Sequence, residues 1–132
     1  MVTAKTLRHL PLHDIFRARN ARCMTFGEWE VPAYVTSIIE EHTRVRSDAG
    51  LFDISHMGIF SLSGDRAGDL LQFLATNDIS RLQEGKAQYS LLCRPDGGII
   101  DDIFIYKRSE NDFLLIVNAA NRSLLGGGGV DG

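Results

Sequence analysis

Ten residues, Gly97-Gly98-Ile99-Ile100-Asp101-Asp102-Ile103-Phe104-Ile105-Tyr106, constrain the fold more than any other part of this chain. Ile and Phe occupy both parities of positions 99–105, the pattern of a strand covered on both faces. Two adjacent carboxylates interrupt it. Successive strand side chains point to opposite faces, so Asp101 and Asp102 are expected not to share a site, each finding its own partners. An unpaired buried carboxylate is costly. The sequence therefore reads as putting at least one of the two to use.

The rest of the chain agrees with a strand-rich domain that also carries helices. Pro11 precedes a short helix over residues 12–19, and residues 21–26 alternate as a short strand. Gly27, Trp29 and Pro32 then read as an irregular connection. Ser37 with Glu40 three positions on reads as a capping box. Ile38, His42, Val45 and Ala49 follow at helical spacing, with Gly50 as the stop. Residues 51–54 and 58–63 read as strands around a His56-Met57-Gly58 corner. A third helix follows Gly64, with Asp65 as its cap and Ala67, Leu70, Leu71, Leu74 and Ala75 as its core stripe. Strands are expected at 87–93, 99–107 and 113–118, joined by Pro95-Asp96-Gly97-Gly98 and Ser109-Glu110-Asn111-Asp112. The fold class is α+β, an antiparallel sheet with packed helices.

With 132 residues, the chain is long enough to bury a real core as one domain. A net charge of −3 with no Lys/Arg stripe argues against nucleic acid as a partner. No apolar run approaches the ~18 residues of a membrane span, and the start lacks a secretory apolar region. Cys23 and Cys93 show no metal-ligand or redox spacing, so free thiols in a reducing cytoplasm are expected.

Hairpin geometry aligns the carboxylate strand with its neighbours. Pairing Lys107 with Phe113 sets Asp102 opposite Asn118. Pairing Pro95 with Gly98 sets Asp102 opposite Leu91 and Phe104 opposite Tyr89. Tyr89, Asp102, Phe104, Tyr106 and Asn118 then share one sheet face. An acid, an amide and three rings suit a flat, nitrogen-rich heterocycle, bonded at its edge and contacted on its face.

The same residues carry a resemblance. Leu51-Phe52-Asp53-Ile54-Ser55-His56-Met57-Gly58, Thr76-Asn77-Asp78, Gly85-Lys86-Ala87-Gln88-Tyr89-Ser90, Gly97-Gly98-Ile99-Ile100-Asp101-Asp102 and Val117-Asn118-Ala119-Ala120-Asn121 occur in this order. Pro11-Leu12-His13, Phe26-Gly27-Glu28-Trp29-Glu30 and Ser37-Ile38-Ile39-Glu40-Glu41 extend the match upstream. The series resembles the N-terminal part of the glycine cleavage T-protein family, tetrahydrofolate-dependent aminomethyltransferases. That resemblance implies transfer of a methylene group from the aminomethyl-lipoyl arm of the H-protein to tetrahydrofolate, with release of ammonia. It implies that Asp102 is the catalytic carboxylate beside the pterin. Met57, Tyr89 and Asn118 match positions lining the same pocket, and Tyr106 joins them on the shared face.

Members of that family are roughly three times as long as this chain, beyond the size of one domain. The match ends at Asn121-Arg122. Residues 1–122 are therefore expected to be an incomplete N-terminal portion of the folate-binding domain, and 123–132 a glycine-rich tail without a counterpart. Such a fragment is expected to be inactive alone. A non-catalytic folate-binding module of the same superfamily is the alternative.

Other features read as structural. His9 and His13 stand four apart, but Pro11 breaks a helix between them and no third ligand is evident, so no metal site is expected. His56 reads as a corner histidine bonded to backbone, Asp101 as a carboxylate bonded to backbone or an Arg, and Cys93 as a small core residue.

Overall fold

The computed structural model describes residues 6–126. Two units organise the chain, residues 1–56 and 57–132. In the first, β1 (Arg8–His9) leads into α1 (His13–Ala18), then β2 (Arg22–Phe26), β3 (Trp29–Tyr34) and α2 (Ile38–Ser47). The sheet order is β1-β3-β2, with β1 parallel and β2 antiparallel to β3.

The expected irregular connection after Phe26 is instead a tight hairpin. Phe26 pairs with Trp29, and Gly27 at φ +60° supplies the left-handed turn residue. Pro32 is tolerated inside β3 because β1 pairs only with Trp29 and Glu30, leaving β3 with one neighbour at the proline.

α2 begins as expected, the Glu40 amide donating to Ser37 Oγ at 3.1 Å. The side chain that reaches back is Glu41, whose Oε1 accepts from the Val35 and Thr36 amides at 2.6 and 2.8 Å. The helix stops at Ser47 with Asp48 as its cap, two residues before Gly50. No strand forms over residues 51–54. Asp53 Oδ1 accepts from both the amide and the hydroxyl of Ser55, a local turn that competes with strand pairing.

The second unit contains β4 (Gly58–Ser63), α3 (Ala67–Leu74), β5 (Ala87–Cys93), β6 (Ile99–Ser109), β7 (Asp112–Val117) and α4 (Arg122–Leu125). Short 3₁₀ turns lie at Ile79–Arg81 and Ala119–Asn121. The four strands form an all-antiparallel sheet in the order β4-β7-β6-β5. Its core brings Ala67 and Leu71 of α3, with Ile79 and Leu82, onto Ile103, Ile105, Phe113 and Val117.

Several expectations shift here. Arg66, not Asp65, occupies the α3 N-cap, without a side-chain cap bond. Leu70 and Leu74 are 44% and 46% exposed, so Leu71 alone of the three leucines is core. β6 is covered on one face only: Asp101, Ile103 and Ile105 are buried while Asp102, Phe104 and Tyr106 are exposed. Arg122–Leu125 is helical and Leu125 packs against the core, so helical structure crosses the expected boundary at 122/123. Residues 127–132 of the expected tail, and residues 1–5, lie outside the described residues.

Candidate functional site

The register of β6 decides where the two carboxylates go. Arg94 donates its amide to Gly98 O at 2.8 Å, closing the first hairpin one residue earlier than Pro95 pairing would. A bulge then separates the Cys93–Ile99 pair from the Leu92–Asp101 pair, leaving Ile100 as the extra residue. The two shifts cancel. Leu91 comes to face Asp102 and Tyr89 to face Phe104, the expected register. Lys107 faces Phe113 across the second hairpin, also as expected.

Asp101 points into the core, only 3% exposed, and amide groups donate to it. Asn118 N–H donates to Oδ2 at 3.0 Å. Oδ1 accepts from Asn118 Nδ2 at 2.9 Å and from Asn121 Nδ2 at 2.8 Å. Asn121 Nδ2 also donates to the carbonyl of Ile100 at 3.0 Å, satisfying the bulged residue. No arginine takes part; amides satisfy the buried charge.

Asp102 faces the other way and is exposed. Its Oδ1 accepts from Asn118 Nδ2 at 2.9 Å, and the same nitrogen donates to its carbonyl at 3.1 Å. One amide therefore joins both carboxylates, contrary to the expectation of wholly separate partners. Oδ2 accepts from Tyr89 Oη at 3.3 Å, long for a hydroxyl on a carboxylate. Asp102 is thus fixed through one oxygen and loosely engaged through the other. Partial desolvation, then the Asp102 charge and this hydrogen bond, hold the Tyr89 phenol above its ordinary pKa.

Three rings extend from the carboxylate along the exposed face. Tyr89 and Phe104 meet edge to face at 5.5 Å, and Phe104 and Tyr106 are tilted at 6.5 Å. Each is between 41% and 49% exposed, leaving ring surface for a ligand. Met57 is half-buried and precedes Gly58, which pairs with Val117 next to Asn118. It stands at the Asn118 end of the sheet.

Motifs quoted above also brace β5. Asn77 N–H donates to Ser90 Oγ at 3.1 Å, Asn77 Nδ2 to Tyr89 O at 3.0 Å, and Leu91 N–H to Thr76 Oγ1 at 3.2 Å. These bonds hold the strand that carries Tyr89. Asn121 is the residue whose part in the site sequence reasoning missed. Its signal was present in the Val117-to-Asn121 motif, but only the bulge explains its use. His56 Nδ1 is buried without a hydrogen-bond partner among the described residues, and the ring packs edge-on against Phe26 at 5.6 Å. The expected backbone bond at that nitrogen is absent.

An antiparallel sheet with a helix on one face and an exposed acid, amide and aromatic row on the other places the chain in the α+β class. The family model for the GCVT N-terminal domain matches residues 12–125, and the chain belongs to that family. It is 49% identical over 115 residues to an aminomethyltransferase of Geobacillus sp. (strain WCH70), covering 87% of this chain and 32% of that protein. To the aminomethyltransferase of Bacillus subtilis (strain 168) it is 47% identical over the same shares. It also superposes on the crystal structure of glycine cleavage system aminomethyltransferase T from Bartonella henselae with a TM-score of 0.85. There the identity is 34%, over 89% of this chain and 33% of the other. The chain spans about a third of the length of these relatives.

Proposed function

We propose that this chain provides the pterin-binding sheet of a cytoplasmic, tetrahydrofolate-dependent aminomethyltransferase of glycine cleavage, whose donor is the aminomethyl-lipoyl arm of the H-protein. The observation that carries the reading is Asp102: an exposed carboxylate with Oδ1 fixed by Asn118, Oδ2 loosely held, and three half-exposed rings alongside. The donor set fits a reduced pterin, whose edge presents N–H groups to a carboxylate and whose ring has flat faces.

Tetrahydrofolate supplies the amine that accepts the methylene. In this reading Asp102 is the catalytic residue. Its free oxygen orients that amine and stabilises the positive charge that develops there during attack. Asn118 keeps the carboxylate in place. Tyr89 yields Oδ2 to the ligand and, with Tyr106 and Met57, bounds the pocket.

Anaerobic calorimetric titration of tetrahydrofolate into the chain and its Asp102→Asn variant tests this reading. Saturable binding that the substitution weakens at least tenfold supports it, since a hydrogen bond to a charged group contributes about 1.5–3 kcal/mol. Equal binding by both proteins, or none by the folded wild type, refutes it for these residues.

A further inference from the structure

The first unit brings together two imidazoles and a carboxylate that the folate reading does not use. His9 and Glu30 are directly opposed in the parallel β1–β3 ladder, so their side chains leave the same face of the small sheet. Arg8 and Trp29, the preceding pair, take the other face, where the guanidinium lies 4.7 Å from the indole ring. The cation of Arg8 therefore does not compete for Glu30. His13 opens α1 after the Leu10-Pro11-Leu12 turn, which the His13 N–H to Leu10 O bond closes at 3.0 Å. Pro11 does break the i,i+4 helical pairing, as the sequence indicates. It brings the two rings together by a different route, a strand end followed by a turn.

We propose that His9, His13 and Glu30 bind a divalent transition-metal ion of the zinc type. His9 Nε2 and His13 Nδ1 each stand 3.5 Å from the same oxygen, Glu30 Oε2. That exceeds a charge-assisted hydrogen bond of about 2.8 Å. For His13 Nδ1 and Glu30 Oε2 it is close to the separation of about 3.4 Å between neighbouring ligand atoms in a tetrahedron with metal–ligand bonds of about 2.05 Å. The three ligand atoms lie within 4.8 Å of one another.

The rings lie face to face at 3.9 Å with an interplanar angle of 4°, so their in-plane lone pairs run side by side. An imidazole holds a metal in its own ring plane, so binding turns the His9 ring, whose side chain is 54% exposed, out of the stack to bring Nε2 onto the ion beside His13 Nδ1. Two nitrogens and one carboxylate oxygen select a borderline metal over calcium or magnesium. The His9 side chain is 54% exposed and that of His13 10%, so an ion approaches past His9 and a water completes the fourth position. Bound there, the ion fastens the two-residue β1 and the start of α1 to β3.

Zinc titration into the 132-residue chain at neutral pH, against a chromogenic chelator, tests the proposal. The wild type is expected to bind one equivalent, and His9→Gln and Glu30→Gln each to weaken binding by about tenfold or more. Both substituted side chains reach solvent, and circular dichroism confirms that the variants fold. X-ray absorption of the zinc complex is expected to show imidazole nitrogens in the first shell. Failure to bind at zinc concentrations on the order of 100 µM overturns the proposal. So does equal affinity in wild type and both variants, which would assign the ion to other groups such as Cys23 or His42.

Discussion

Asp101 and Asp102 are adjacent, yet replacing each by asparagine has opposite expected consequences. Asp101 is 3% exposed and accepts three hydrogen bonds, from Asn118 N–H, Asn118 Nδ2 and Asn121 Nδ2. An asparagine there has one acceptor and one donor end. With its NH₂ at the Oδ2 position it meets Asn118 N–H donor to donor; flipped, it meets two amide nitrogens. The better orientation loses one bond, leaves a buried N–H unpaired and removes the charge assistance from the other two. A lost bond to a charged group and an unsatisfied buried donor cost about 1–3 kcal/mol each, so Asp101→Asn is expected to cost about 3–5 kcal/mol. Asp102 is exposed, and an Asn oxygen still accepts from Asn118 Nδ2, so Asp102→Asn is expected to cost under about 1 kcal/mol. Urea unfolding followed by far-ultraviolet circular dichroism measures both. With a slope of about 1–3 kcal/mol per molar, the Asp101 variant is expected to unfold at least 1 M earlier with an unchanged slope. Equal midpoints for the two variants would refute the assignment of a structural and a free carboxylate.

Other consequences follow from single contacts. The Thr36 and Val35 amides hold Glu41 below its ordinary pKa. A depressed folded-state pKa gives stability that is present above the unfolded value and lost as pH falls through the folded one. Glu41→Gln is therefore expected to lower the thermal midpoint at neutral pH, with the gap to wild type closing in acid; a pH-independent gap contradicts this. Gly97 sits at φ +86° with open space around it, so Gly97→Ala is expected to cost about 1–2 kcal/mol through backbone strain alone, read by thermal unfolding. Phe104 is 46% exposed, so Phe104→Ala should cost less than the ~3–5 kcal/mol of a buried phenylalanine. Loss of its stacking should weaken tetrahydrofolate binding by about tenfold, and unchanged affinity would remove Phe104 from the ligand face.

The β6 neighbourhood was legible in sequence because both its hairpins are short and their turn residues distinctive. Gly97 at positive φ and the Ser109–Asp112 turn pin the strands within a residue of the right place. The first hairpin came out in register although its turn did not, because the Ile100 bulge cancels the earlier closure. A bulge has no periodicity to detect, which is why the role of Asn121 on the Ile100 carbonyl was missed. β3 was hidden by Pro32, a residue that argues against a strand until its lone neighbour at that position is known. The reverse error came at residues 51–54, where an apolar run imitates a strand and the Asp53–Ser55 turn prevents one. Alternation on β6 was read as two-sided burial, because an exposed row of aromatic residues looks like core in composition. Glu30 as a partner for His9 and His13 depends on a parallel strand pair, a contact that local spacing does not encode.

The central claim is that the exposed face around Asp102 binds the pterin, and amide chemical shifts in the isotopically labelled chain test it most directly. On anaerobic addition of tetrahydrofolate, the account predicts saturable shifts at Tyr89, Asp102, Phe104, Tyr106 and Asn118. Ile103 and Ile105 on the helix-covered face should move less. Shifts confined to the helix-covered face or to residues 6–56, with the Asp102 row unmoved, would contradict it.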